Sequence, residues 1–271
     1  MTTRRAVFFP SLPKCGKNLV YSFYFALGMK RWSWGDAPSQ LHRAHFARTP
    51  HLQNYAFPEA GGAREGERQV ALDRVLAQLR DMPTGTIANH HFLPEPELVR
   101  FIAVNAVPAV FICRDPRDVL LSMLSFARVR QLPPHVAALL EPLSDEDALI
   151  LLLDGGGRLV PFADYFDAYH GWLSAPGVAQ LRFEDLIGPR GGGNAQRQER
   201  ACAVLATLAG FSPKADEVKA ATEKVFNVQA GTFFKGQIGA WRDAFTPAVR
   251  RAYERHAGWL TARWGFAEGD S

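Results

Sequence analysis

The stretch Phe8-Phe9-Pro10-Ser11-Leu12-Pro13-Lys14-Cys15-Gly16-Lys17-Asn18-Leu19-Val20 decides how this chain is read. Ala6 to Phe9 is a short apolar run of the kind that makes a buried strand. A turn with two prolines, a lysine and a glycine follows. The apolar residues then return at helical spacing through Leu19, Val20, Phe23 and Leu27. A strand that turns through Lys-x-Gly into a helix start makes an anion site, because the first N–H groups of a helix lack intrahelical partners and the helix dipole adds positive charge there. Gly16 permits close approach of a phosphate, and Lys14 and Lys17 add full charges.

The loop is not a Walker A motif, which requires Gly-x4-Gly-Lys-[Ser/Thr]. Leu12 stands where the first glycine belongs and Asn18 where the Mg²⁺-binding hydroxyl belongs, which disfavours a metal-dependent nucleotide hydrolase or kinase. At 271 residues and 47% hydrophobic, the chain reads as one domain, 1–271, with insertions. The net charge of +4 is spread along the sequence without a Lys/Arg run, which excludes a nucleic-acid-binding class and fits a small polyanionic ligand. Cys15, Cys113 and Cys202 have neither disulfide nor zinc spacing, so a cytoplasmic location is expected. The first strand begins too early for a leader ahead of it, and no apolar run is long enough to span a bilayer.

Further along, strands are expected near 85–89, 107–113 and 178–183, and helices near 68–81, 94–105, 116–128, 162–173, 196–209, 213–224 and 247–264. Residues 30–66 and 131–160, the second with two short helical stretches, read as irregular insertions that shape an acceptor pocket, and the glycine-rich 188–194 as a mobile loop. Alternating strands and helices imply an α/β fold, a three-layer α/β/α sandwich on a central parallel sheet of P-loop type. Ligands of such sheets sit beyond the carboxyl ends of the strands, where Lys14, His91 and Arg114 all fall.

Val107 to Cys113 runs directly into Arg114-Asp115-Pro116-Arg117-Asp118-Val119-Leu120-Leu121-Ser122. An arginine at a strand end and a serine about two turns into the next helix suit one phosphate, since a guanidinium offers a planar fork of donors. Asp115 and Asp118 would repel that phosphate and are assigned to capping the helix or neutralising Arg117.

With two phosphate motifs in this order, the chain resembles the sulfotransferases that use 3′-phosphoadenosine-5′-phosphosulfate (PAPS). Pro13 to Leu19 is similar to the family's Pro-Lys-Ser-Gly-Thr-Thr-Trp loop, and Arg114 to Ser122 to its 3′-phosphate motif. Phe183-Glu184-Asp185-Leu186 resembles its Tyr-Glu-Asp segment. Phe234-Lys235-Gly236-Gln237-Ile238-Gly239-Ala240-Trp241-Arg242-Asp243-Ala244-Phe245 resembles its C-terminal Arg-Lys-Gly-x-x-Gly-Asp-Trp-Lys-x-x-Phe motif. Lys17, Asn18, Leu19, Phe183 and Phe234 depart from the family residues at their places.

The resemblance implies in-line transfer of a sulfuryl group from PAPS to a hydroxyl or amine, with no metal. Lys14, Cys15, Gly16, Lys17, Asn18, Leu19, Arg114, Ser122, Phe183, Phe234, Lys235 and Gly236 are then the PAPS-binding set, and Lys14 neutralises the leaving oxygen. The base comes from the pair His90-His91; the spacing to Pro96-Glu97-Leu98 favours His91, and the offset of Pro94 leaves His90 open. His42, His45 and His51 lack a fourth ligand and are not read as a zinc site. Trp32, Trp34, Phe46, Tyr55 and Phe57 form either an aromatic wall for a small, partly apolar acceptor or anchors packed on the core. A nucleotide kinase and a non-catalytic nucleotide-binding module are the rival readings.

Overall fold

A continuous apolar strand is stable only when both of its faces are covered, and the fold supplies that cover. In the computed structural model, residues 4–38, 40–41, 65–129, 138–156, 159–227 and 236–266 are described. In chain order they form β1 (Val7–Pro10), α1 (Lys17–Ala26), β2 (Lys30–Arg31), α2 (Glu65–Arg80), β3 (Thr86–His90), α3 (Pro96–Val104), β4 (Ala109–Cys113), α4 (Pro116–Val129), α5 (Asp145–Asp154), α6 (Phe162–Asp167), β5 (Val178–Arg182), α7 (Phe183–Leu186), α8 (Ala195–Leu208), α9 (Asp216–Glu223), α10 (Trp241–Ala244) and α11 (Pro247–Arg263).

The five strands make one parallel sheet in the order β2-β3-β1-β4-β5, with helices on both sides. This is the three-layer α/β/α architecture expected. Because every pair is parallel, the carboxyl ends of all five strands lie along one edge.

The residues fall into two compact units. The first comprises Met1–Pro38, Gln69–Arg114 and Gly171–Ile238, and the second Ser39–Arg68, Asp115–His170 and Gly239–Ser271. In the first, alternate strand residues serve alternate faces. Val7, Phe9, Ile87, Val110, Ile112 and Leu181 join the apolar sides of α1, α8 and α9 in one core. Phe8 points the other way, with its ring 5.9 Å from Trp34 and 6.5 Å from Trp172, and Phe111 stacks on Trp172 at 6.4 Å. The Trp172 indole donates to the Phe92 carbonyl at 2.8 Å, which satisfies its polar edge.

Within the second unit, Phe162, Tyr165, Phe166 and Tyr169 are buried, as their helical spacing implies. The helix expected over 162–173 is broken, however. It ends at Asp167, and a 3-10 turn, His170–Ser174, follows. A ten-residue helix, α5, lies in the second irregular region, where short helical stretches are expected; Ser144 caps it by accepting from the Asp147 N–H. The glycine-rich 188–194 is a tight turn in which Gly193 N–H bonds back to the Gly188 carbonyl at 2.8 Å. Among the described residues, no helix is long and apolar enough to cross a membrane.

Candidate active site

The loop between β1 and α1 is built on two left-handed residues, Lys14 at φ 69° and Gly16 at φ 97°. For glycine this is unstrained, but for lysine it costs about 1–2 kcal/mol. No side chain caps α1 and its first turn holds no acid, so the helix start keeps its positive field. A Cβ on Gly16 would lie 2.8 Å from Cδ2 of Phe183. Gly16→Ala is therefore expected to lose about 1–3 kcal/mol of stability, from the left-handed backbone and the displaced ring, and to weaken anion binding at the loop. Thermal melts and ligand titration of the variant check both.

Arg114 leaves the end of β4 and is 7% exposed. Its Nη1 contacts the Lys14 carbonyl at 3.4 Å and its Nη2 donates to the Gln237 carbonyl at 3.0 Å. Its Cζ lies 4.0 Å from the centroid of the Phe183 ring, within cation–π range. The structure thus brings the Lys14 turn, Arg114, Phe183 and the Gly236-Gln237 segment together. Ile238 N–H donates to the Gly191 carbonyl at 3.1 Å, so the glycine-rich turn holds this last segment from behind.

Cys15 points inward and is 1% exposed. Burial pushes its thiol well above the usual range, so it stays protonated, and what it turns toward the loop is backbone. Leu19 packs in the core formed by α1 and the sheet, and Asn18 stands in the first turn of α1. Ser122 is a buried residue of α4, in the second unit. Phe234 and Lys235 lie outside the described residues, as do His42, His45, His51, Phe46, Tyr55 and Phe57. Trp34 takes the core-anchor role: it is 6% exposed and its indole N–H donates to the Asn89 carbonyl at 3.1 Å. Among the described residues, no group of three or more His, Cys, Asp and Glu side chains is placed to hold a metal ion.

The histidine pair straddles the end of β3, with His90 its last residue. Nδ1 of His91 lies 2.8 Å from the Ser11 carbonyl oxygen. A carbonyl only accepts, so Nδ1 carries the proton and Nε2 of the neutral ring keeps its lone pair. Asn89 stiffens this support, donating from Nδ2 to the Phe9 carbonyl at 2.7 Å and to Ser11 Oγ at 2.9 Å. The His90 ring packs on Phe92 at 4.9 Å. Burial, then the Lys17 ammonium, lower the His91 pKa to about 3 and that of His90 to about 4.

Sequence reasoning paired the two aspartates of the Arg114 motif with the same tasks; the structure separates them. Asp115 caps α4 at the Arg117 N–H (2.9 Å) and grips the Arg117 guanidinium at 2.9 and 2.8 Å. Asp118, 1% exposed, accepts instead from the backbone N–H groups of Gly239 (2.8 Å) and Trp241 (3.1 Å), pinning the C-terminal motif. Nothing in the local sequence signals a bond between residues so far apart.

The sequence matches the family model described as Sulfotransferase domain over residues 4–188. That range holds all five strands, the Lys14 loop, the histidine pair and the Arg114 motif; the Gly236-Gln237 segment falls beyond it. No curated protein matches the sequence. Among solved structures, the crystal structure of mouse sulfotransferase SULT7A1 complexed with PAP superposes with a TM-score of 0.57 at 13% identity, covering 98% of this chain and 85% of that one. At that identity the likeness is one of fold. The family match itself takes in the sheet and the motifs at its carboxyl edge, and on that match the chain belongs to the sulfotransferase domain family.

Proposed function

We propose that this sulfotransferase moves a sulfuryl group from PAPS to a hydroxyl, or an amine, of a small-molecule acceptor, in the cytoplasm and as one functional domain. The observation that supports the reading most is the contact between the Arg114 guanidinium and the Lys14 carbonyl. It joins the ends of β4 and β1, so the two motifs assigned to opposite ends of a doubly phosphorylated adenosine meet at one edge of the sheet. The fit of such a group rests on the cradle at Gly16, where any Cβ would strike Phe183, and on the uncapped, acid-free start of α1.

PAPS, when bound, supplies the activated sulfuryl group and a bisphosphate leaving group. The loop backbone and Lys14 stabilise charge on the oxygens nearest the transfer. Arg114 donates to the 3′-phosphate, with Gly236 of the C-terminal motif beside it; the resemblance assigns Lys235 to the same phosphate. The Nε2 lone pair of His91, fixed by the Nδ1–H bond to Ser11, takes the acceptor proton.

Calorimetric titration with adenosine 3′,5′-bisphosphate in metal-free buffer tests the donor assignment. The wild-type chain is expected to bind, and Arg114→Ala to bind about 10–100-fold more weakly, the loss of charge-assisted hydrogen bonds. Equal affinity for the two proteins would remove Arg114 from the site. Sulfate transfer to a panel of phenols and alcohols then tests the chemistry.

A further inference from the structure

The geometry points to Arg31 as an acceptor-recognition residue which, beside Lys17, selects acceptors that carry an anionic group across the molecule from the hydroxyl to be sulfated. This rests on the donor assignment above and adds the class of the second substrate.

Sheet order sets the positions. Along the carboxyl edge, Phe183 follows β5, Arg114 follows β4, the Lys14 loop follows β1, the histidine pair ends β3, and Arg31 ends β2. The residues assigned to the donor occupy β1, β4 and β5. The candidate base stands at β3, and β2 is the next strand outward, paired through Arg31↔Ile87. Arg31 therefore lies on the strand next to that of the base, on the side away from β1, β4 and β5, with its backbone beside Ile87 and three residues short of His90.

A second cation shares this corner. Lys17 and Tyr21 are one helical turn apart on the same side of α1. The Arg31 guanidinium lies 5.7 Å from the centroid of the Tyr21 ring, and Tyr21 in turn stacks on Phe25 at 5.1 Å. Lys17 and Arg31 thus face one another across a tyrosine. No carboxylate is paired with either among the described residues. Burial, and then the charge of Arg31, lower the Lys17 pKa, so the two cations lie close enough to feel one another. Lys17 also stands where the family loop that this chain resembles has an uncharged threonine. With Lys17 turned to the donor, a carboxylate or sulfate-type group on the acceptor pairs with Arg31 and places its hydroxyl beside Nε2 of His91.

The test uses the full chain saturated with adenosine 3′,5′-bisphosphate and matched acceptors: 4-hydroxybenzoate and 4-hydroxyphenyl sulfate against neutral 4-hydroxybenzyl alcohol. Binding is measured by calorimetry and turnover with PAPS. The anionic pair is expected to bind at least about tenfold tighter than the alcohol. Arg31→Gln is expected to abolish that preference while leaving affinity for the bisphosphate and handling of the alcohol unchanged. A carboxylate–sulfate difference sorts the two anion chemistries. Absence of any anion preference in the wild type overturns the proposal, as does an equal loss on all three acceptors. Weakened bisphosphate binding by Arg31→Gln overturns it in another way, by assigning Arg31 to the donor. Failure of the wild type to bind bisphosphate at all would sink the donor assignment itself.

Discussion

His91→Ala is expected to lower kcat by about 10²–10⁴-fold, the usual worth of a positioned general base, while bisphosphate affinity holds. The support behind the ring makes this the residue to remove. The Ser11 carbonyl fixes one tautomer at 2.8 Å, and Asn89 ties Ser11 to the strand beneath. A larger loss in His90→Ala than in His91→Ala would transfer the role to the neighbour. The pH profile gives a second reading. In the free enzyme, burial and Lys17 hold the imidazole neutral down to about pH 3, so the acid limb of kcat/KM lies well below the roughly 6.5 of an ordinary histidine. Anionic substrates offset the Lys17 and Lys14 charges, so the acid limb of kcat is expected at higher pH than that of kcat/KM. Stability follows the same shift. Between about 6.5 and about 3 the unfolded chain binds the proton and the folded one does not, so stability is full above 6.5 and falls as pH is lowered through this window.

Lys14→Met is expected to cost roughly 3 kcal/mol of barrier, about 10²-fold in kcat, with a smaller effect on bisphosphate affinity. The backbone at this residue separates a catalytic role from a structural one. Lys14 holds a left-handed φ of 69°, a conformation that glycine adopts freely. Lys14→Gly should relax the turn and raise stability by about 1 kcal/mol while activity drops as far as in Lys14→Met. Unfolding titrations set beside steady-state rates decide the matter. A Lys14→Gly variant that is more stable and still active would strip the ammonium of its assignment.

Much of this site was legible because its chemistry and its packing are both written locally. Phe8-Phe9 and Val110 to Ile112 are continuous apolar runs, and only a strand covered on both faces reads that way. Lys14 and Gly16 follow the first of those strands and Arg114 the second, so locating the strands located them. The features that escaped depend on distant partners. β2 is two charged, exposed residues whose strand character comes entirely from pairing with Thr86 and Ile87, and with it Arg31 was overlooked. The helix expected through 173 stops early, and Gly171 then packs where an added Cβ would lie 2.8 Å from Pro94, steering Trp172 beneath the sheet. Asp118 looked like one more acid near a helix start; its partners are amides at Gly239 and Trp241. Trp34 carries no periodic signal, and its burial against Phe8 is a tertiary fact.

The place of β1 in the sheet bears on how this protein is made. Among the five described strands, the first in chain order is the middle one, and the core on one of its faces is closed by Leu205, Ala206 and Val218 of α8 and α9. At roughly 5–20 residues per second, the ribosome exposes Phe9 for about 10–40 s before those helices emerge. A nascent chain whose central strand waits so long for its cover is a natural client for a holding chaperone, and cellular yield should respond to translation speed more than to changes on the finished surface.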